Sequence, residues 1–191
     1  MVMKTDPSDL VVGGRRSALK AIAAGGVILA RGTFAAPPTT ADSGLLRRRI
    51  PSSGGVTHYH ASAYPELEAL LRSERPDFVQ FNYSMAEREA ERRLLPLAQE
   101  LGIAVIINRP FAKASLFSRV RSKPLPEWAA DFDCASWAQF FLKFILAQPA
   151  VTCTIPATSK LQHLQDNLAA GRGRLPDAQQ RSRMIEYLAR I

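Results

Sequence analysis

Residues 103–107 read IAVII, five apolar positions without a break, bounded by Gly102 on one side and by Asn108, Arg109 and Pro110 on the other. A strand with one wet face alternates apolar and polar residues. One that is apolar throughout is buried on both faces, as in a parallel sheet covered by helices. Parallel neighbours cannot be joined by a tight hairpin, so helical crossovers must lie on either side of this run.

The chain supplies them. Residues 55–59 favour a strand, and Ser62 with Pro65 opens a helix carrying Leu67, Leu70 and Leu71 on one face. Residues 77–83, DFVQFNY, alternate as a second strand. Ser84 stands three residues before Glu87, a capping-box spacing that predicts a helix through Gln99, with Gly102 as its stop. After 103–107 comes a connection holding Pro110, Pro124 and Pro126. Trp137, Phe140, Phe141, Phe144 and Ile145 then mark a helix with a broad apolar face. Residues 151–155, VTCTI, form a fourth strand. Ser159 with Gln162 predicts a capped helix over 160–170, and Asp177 with Gln180 a final helix to about Arg190. Strand and helix alternate four times, with one helix added. That is the pattern of an α/β fold with a parallel sheet and right-handed crossovers.

Apolar residues make up 47% of the 191, enough for a packed core. The net charge is +8, of which the first 35 residues contribute three. Arg47, Arg48, Arg49, Arg172 and Arg174 lack interleaved aromatics, so they read as solvated loops and not as a nucleic-acid surface. Cys134 and Cys153 have no CxxC spacing, which argues against a metal site. They leave a disulfide open, and Cys153 in its apolar run reads as a buried strand residue.

The N-terminus has the order of an export leader. RRSALK at 15–20 is basic, AIAAGGVILA at 21–30 is apolar, and TFAA at 33–36 offers small residues for cleavage. The apolar run is too short for a stable membrane anchor. Arg15-Arg16 followed by Leu19-Lys20 resembles the twin-arginine signal. The expected organisation is therefore a leader over 1–35, a linker over 36–55 and a folded body over 56–191, with a periplasmic or otherwise exported destination.

The strand-end motifs VTHYHASAYPELEALL, PDFVQFNYS, GIAVIINRPFA and VTCTIPATSKLQHLQDNLAAG together resemble the C-terminal half of the aldo/keto reductase family. RRRIPSSGG before them resembles a short N-terminal hairpin of one subgroup. The family fold is a (β/α)8 TIM barrel, so the resemblance implies a partial barrel of about four C-terminal βα units plus a C-terminal helix. It implies NADP(H) as cofactor and a small-molecule carbonyl substrate for the intact family. By resemblance, Thr57, His58 and Gln80 meet the nicotinamide carboxamide, Asn108 packs by the ring, and Arg109, Pro110 and Phe111 lie in the pyrophosphate loop. Thr158, Ser159, Lys160 and His163 surround the adenosine 2′-phosphate, and Asp166 and Asn167 bind adenine. A helix N-terminus beside Lys160 suits a phosphate, although Ser159 with Gln162 also describes an ordinary helix cap.

The family's catalytic Asp, Tyr, Lys and His come from the first half of the barrel. That half would fall between Gly54 and Val56, and no DxxxxY segment stands there. The resemblance thus implies a cofactor side without the acid that protonates the carbonyl, and no catalytic residue is assigned. Gly54-Gly55 reads as an easy join. A shortened barrel would leave strands 56–59 and 152–155 as exposed edges through which a homodimer can form. The remaining alternatives are an exported nucleotide-binding or protein-interaction module and a basic adaptor for an acidic partner.

Overall fold

The computed structural model describes residues 55–191 together with one short strand, Val11–Gly13, ahead of them. Five strands form one sheet: β1 (Val11–Gly13), β2 (Gly55–Thr57), β3 (Phe78–Asn82), β4 (Ala104–Asn108) and β5 (Val151–Thr154), side by side in that order. β2 to β5 run parallel, and β1 is antiparallel to β2. Sequential parallel strands with a helix in each crossover are one wall of the predicted barrel. The helices are α1 (Tyr64–Glu74), α2 (Leu94–Glu100), α3 (Ser115–Val120), α4 (Trp137–Leu146), α5 (Leu161–Ala169) and α6 (Ala178–Arg190).

β4 is buried at all five positions, as its apolar run requires. Val56, Val79, Val105 and Val151 pair across the sheet in one row, and none is more than 4% exposed. Leu67 and Leu71 of α1 and Phe140, Phe141 and Phe144 of α4 are fully buried in the same core. α1 carries Pro65 in its first turn and stops where Arg75 turns left-handed. α4 is capped by Ser136, whose side chain accepts from the Gln139 amide. α6 carries the complete capping box, with bonds of 2.7 and 2.9 Å between Asp177 and Gln180. Its Arg181 reaches Tyr83 and Glu91 at 2.7 Å each, which fastens the last helix to the strand-end side of β3.

The predicted helix opening at Ser84 is not formed. Ser84 and Glu87 exchange backbone bonds and close a turn, with the Ser84 hydroxyl accepting from the amides of Ala86 and Glu87. The Glu87 carboxylate accepts from the Asn82 side chain at 3.0 Å, so it is not available to reach back as a cap, and the helix begins at Leu94. The Ser159 box is also absent. Lys160 is the N-cap of α5, without a side-chain bond, and the Thr158 hydroxyl accepts from the Lys160 amide. Cys153 is half-buried, less enclosed than its apolar run suggested.

Two expectations about the first edge change. β2 is not exposed, because β1 covers it. Gly55 does more than ease a join: a Cβ there would meet the Phe78 ring at 2.1 Å, so a larger residue would have to push that ring aside. Residues 14–54, which hold most of the expected leader, the linker, Arg47 to Arg49 and Gly54, lie outside the described residues.

Candidate functional site

The carboxyl ends of β2, β3 and β4 hold one side of the site. His58 is 6% exposed, and its amide donates to the Gln80 carbonyl at 2.8 Å. Its Nδ1 accepts from the His60 amide at 3.0 Å, so His60, given no role by sequence, fixes the His58 ring. Asn108 donates from Nδ2 to the His58 carbonyl at 3.0 Å, bridging β4 to β2. Arg109 donates to the Tyr59 carbonyl at 2.6 Å and approaches Glu87 at 3.5 Å. Tyr64 donates to the Asn82 carbonyl at 2.5 Å. Thr57 Oγ1, Asn82 Oδ1, Asn108 Oδ1 and Arg109 Nε are buried here without a hydrogen-bond partner. Buried orphan polar atoms are uncommon in finished interiors, and four at one end of a sheet mark a polar centre.

The other side is an open cleft of 720 Å³ between the loop after β4, the start of α4 and the β5–α5 connection. Arg109, Phe111, Thr158, His163, Asp166 and Asn167 line it, joined by Lys113, Phe117, Ser136 and Trp137. The floor is aromatic and the rim is cationic and hydroxylic, which suits a flat ring with an attached phosphate. Thr158, Ser159, Lys160 and His163 are exposed around the first turn of α5. The loop from Arg109 to Ala114 bends sharply: Arg109, Ala112, Lys113 and Ala114 all have φ between +48° and +69°, a region unfavourable to residues other than glycine.

The structure therefore splits the expected residues into two groups. Thr57, His58, Gln80 and Asn108 gather at the closed strand ends. Arg109 belongs to both groups, and Phe111, Thr158, His163, Asp166 and Asn167 face the cleft. Ser159 and Lys160 sit at its outer rim and do not line it. Asp166 is already engaged: Ser136 Oγ donates to its two carboxylate oxygens at 2.8 and 2.9 Å, and Gln139 Nε2 donates at 2.7 Å. Sequence reasoning missed this clamp. The signal was present as Ser136 three residues before Gln139, a capping spacing ahead of the aromatic run.

Charge and protonation separate the site from ordinary acid–base centres. Burial, reinforced by Glu89 and Glu87, drives the Tyr64 hydroxyl far above its usual range. Burial does the same to Tyr83, whose hydroxyl donates to Glu91. Lys143 is fully buried and donates to the carbonyls of Arg172 and Arg174 at 2.6 and 2.9 Å, and burial lowers its pKa. Burial pushes the Cys134 thiol up to about 11. Arg174 pairs with Asp133 at 2.8 Å, which holds that carboxyl well below the usual range. Among the described residues there is no cluster of three metal-ligating side chains, and no helix is long and apolar enough to cross a membrane.

The family model for the aldo/keto reductase family matches residues 52–184. The chain belongs to the aldo/keto reductase family. Solved aldo/keto reductases share the fold over about two thirds of it. One from Klebsiella pneumoniae, in complex with NADP and acetate, is 21% identical with a TM-score of 0.56. The match covers 69% of this chain and 46% of that one. Another K. pneumoniae structure, in complex with NADPH, is 20% identical with a TM-score of 0.51 over the same shares. A thermostable aldo-keto reductase in complex with the inhibitor epalrestat is 23% identical with a TM-score of 0.50, again covering 69% and 46%. The chain thus spans less than half the length of these aldo/keto reductases.

The two sides differ in what they leave available. The cleft presents cationic and hydroxyl-bearing side chains and aromatic rings in the open. The strand ends carry unpaired acceptors at Thr57, Asn82 and Asn108, but those atoms are enclosed.

Proposed function

We propose that this chain is a nucleotide-binding half of an aldo/keto reductase-type barrel, which holds NADP(H) by its adenosine and phosphate end and does not by itself reduce carbonyls. The observation that carries this reading is the cleft at the carboxyl ends of β4 and β5, where Arg109, Phe111, Thr158, His163 and Asn167 converge. Ligands of parallel α/β folds bind at that end of the strands. Lys160 and Arg109 supply charge to phosphate, and the first turn of α5 supplies unpaired N–H groups. Bound nicotinamide would bring hydride chemistry. The residues of this chain hold and orient it.

The expectation of no reduction rests on the sequence, which carries no DxxxxY segment between Gly54 and Val56, and is supported by the state of Tyr64, Tyr83 and Lys143. Tyr64 and Tyr83 each donate to an acceptor and are driven away from acid function, and Lys143 is committed to two carbonyls. Without a positioned acid, ~10²–10⁴-fold of rate enhancement is missing. The adaptor reading is weaker, since Arg174 is already paired with Asp133.

Titration of the purified chain with NADPH, followed by NADPH fluorescence, is expected to saturate, and NADH is expected to bind more weakly. Lack of saturation with the helical circular dichroism intact would sink the reading. NADPH consumption dependent on an added aldehyde, at the rate of a complete family member, would refute inactivity. Export belongs to the same proposal: residues 1–40 fused to a reporter are expected to carry it across the inner membrane, and Arg15→Lys with Arg16→Lys to stop it.

A further inference from the structure

Asp166 lines the open cleft from α5, half-buried, and is gripped from the start of α4. Ser136 Oγ donates to its Oδ1 and Oδ2 at 2.9 and 2.8 Å, and Gln139 Nε2 donates to Oδ1 at 2.7 Å. The direction of these bonds is fixed from behind. Gln139 is 7% exposed and its Oε1 accepts from the Ala135 amide at 2.9 Å, so its side-chain amide is held against turning over. Ser136 Oγ accepts from the Gln139 amide at 3.1 Å, which leaves its own proton for Asp166. Both side-chain donors therefore point at the carboxylate.

Oδ1 is filled by two donors, whereas Oδ2 has only the shared Ser136 hydroxyl. A carboxylate offers about four acceptor positions, so the capacity left over is on Oδ2. Neither donor is charged, and among the described residues no ion pair reaches Asp166. An amide at position 166 would tie α5 to α4 through Oδ1 equally well. What the carboxylate adds is an acceptor-only edge in a cleft that also carries the rings of Phe111, Phe117 and Trp137. A flat heterocycle lying against such rings turns its own rim to that edge. An amine on the rim pairs with the carboxylate, and a carbonyl meets it oxygen to oxygen. A mobile carboxylate would swing away from the carbonyl. A clamped one stays, and rejection of the wrong ligand depends on that rigidity.

We propose, on the reading that this cleft holds NADP(H), that Ser136 and Gln139 are positioning residues for its base selectivity. By locking Asp166 they admit a nucleotide whose base carries an exocyclic amine and reject one with a carbonyl in its place. The full chain is titrated with NADPH and with its hypoxanthine analogue, in which a carbonyl replaces the amine, and nicotinamide fluorescence is followed. The native chain is expected to prefer NADPH by about 100-fold. Gln139→Leu and Ser136→Ala are each expected to shrink that preference to about 10-fold or less. Ser136→Thr keeps the hydroxyl and is expected to retain it. Asp166→Asn leaves both donors in place. They hold Oδ1, Nδ2 with its hydrogens faces the cleft, and the analogue is expected to bind better than NADPH. Circular dichroism and melting curves accompany each variant. A native chain that does not bind NADPH would remove the nucleotide reading and this selectivity with it. Native binding with equal affinity for both ligands would overturn the selectivity alone. So would Gln139→Leu and Asp166→Asn chains that melt lower yet keep the native preference, since the clamp would then only tie two helices.

Discussion

The two sides of the cleft are built in opposite ways. At the ends of β2, β3 and β4, polar side chains spend their hydrogen bonds on one another and on the backbone, and the leftover atoms of Thr57, Asn82 and Asn108 are sealed in. At the β5–α5 end, Thr158, Ser159, Lys160 and His163 stand in solvent. The difference is one of burial: enclosed polar groups must find partners inside the chain, whereas exposed ones are satisfied by water and stay available to a ligand. The first side holds the fold together, and the second is the one to which the nucleotide is proposed to bind.

The largest test breaks the closed side. Asn108→Ala removes the bridge to the His58 carbonyl and leaves that acceptor buried, at a cost of ~1–3 kcal/mol. The thermal midpoint is expected to fall by about 5 °C, with NADPH affinity at the open side little changed. An equal loss of affinity would erase the distinction between the two sides. Next, Lys160→Ala on the open side is expected to leave the melting curve unchanged and to weaken NADPH about 10-fold, with NADH unaffected. Titration of both nucleotides checks it.

Ser136→Ala sits between the two extremes. It deletes the α4 cap and frees one grip on Asp166, so stability should drop by about 1 kcal/mol in urea unfolding. Ala114→Gly relieves a left-handed alanine at φ 69°. It should raise stability by about 0.5–1 kcal/mol, and a fall instead would mean the strained loop is held by contacts of the alanine methyl.

The smallest effect is one of pH. Asp133 is held below its ordinary value of 3.8 by Arg174, so the folded state binds its proton less readily than the unfolded one. The stability it gives is present above that value and is lost as pH falls through the folded-state pKa. Asp133→Asn should remove this part of the acid dependence, read from melting curves at descending pH.

Much of the framework was legible in the residues. IAVII reads as a strand buried on both faces and became β4 from Ala104 on, Asp177 with Gln180 made the capping box it spelled, and VTCT became the last strand among the described residues. The failures share one cause. Ser84 with Glu87 and Ser159 with Gln162 have the spacing of caps, but spacing does not say whether the second side chain has a better partner. Asn82 took Glu87, and Lys160 became the cap position of α5. Asp166, which the resemblance gives to adenine, is clamped by two residues some thirty positions earlier.

Periodicity and local chemistry, which act between near neighbours in the chain, determined the strand–helix order and the parallel sheet. Tertiary structure alone decided which polar groups remain available, how closely the Phe78 ring approaches Gly55, and that the leucines of α5 face outward. Those depend on what arrives from distant segments, because burial and competition for hydrogen bonds are settled only when the elements pack.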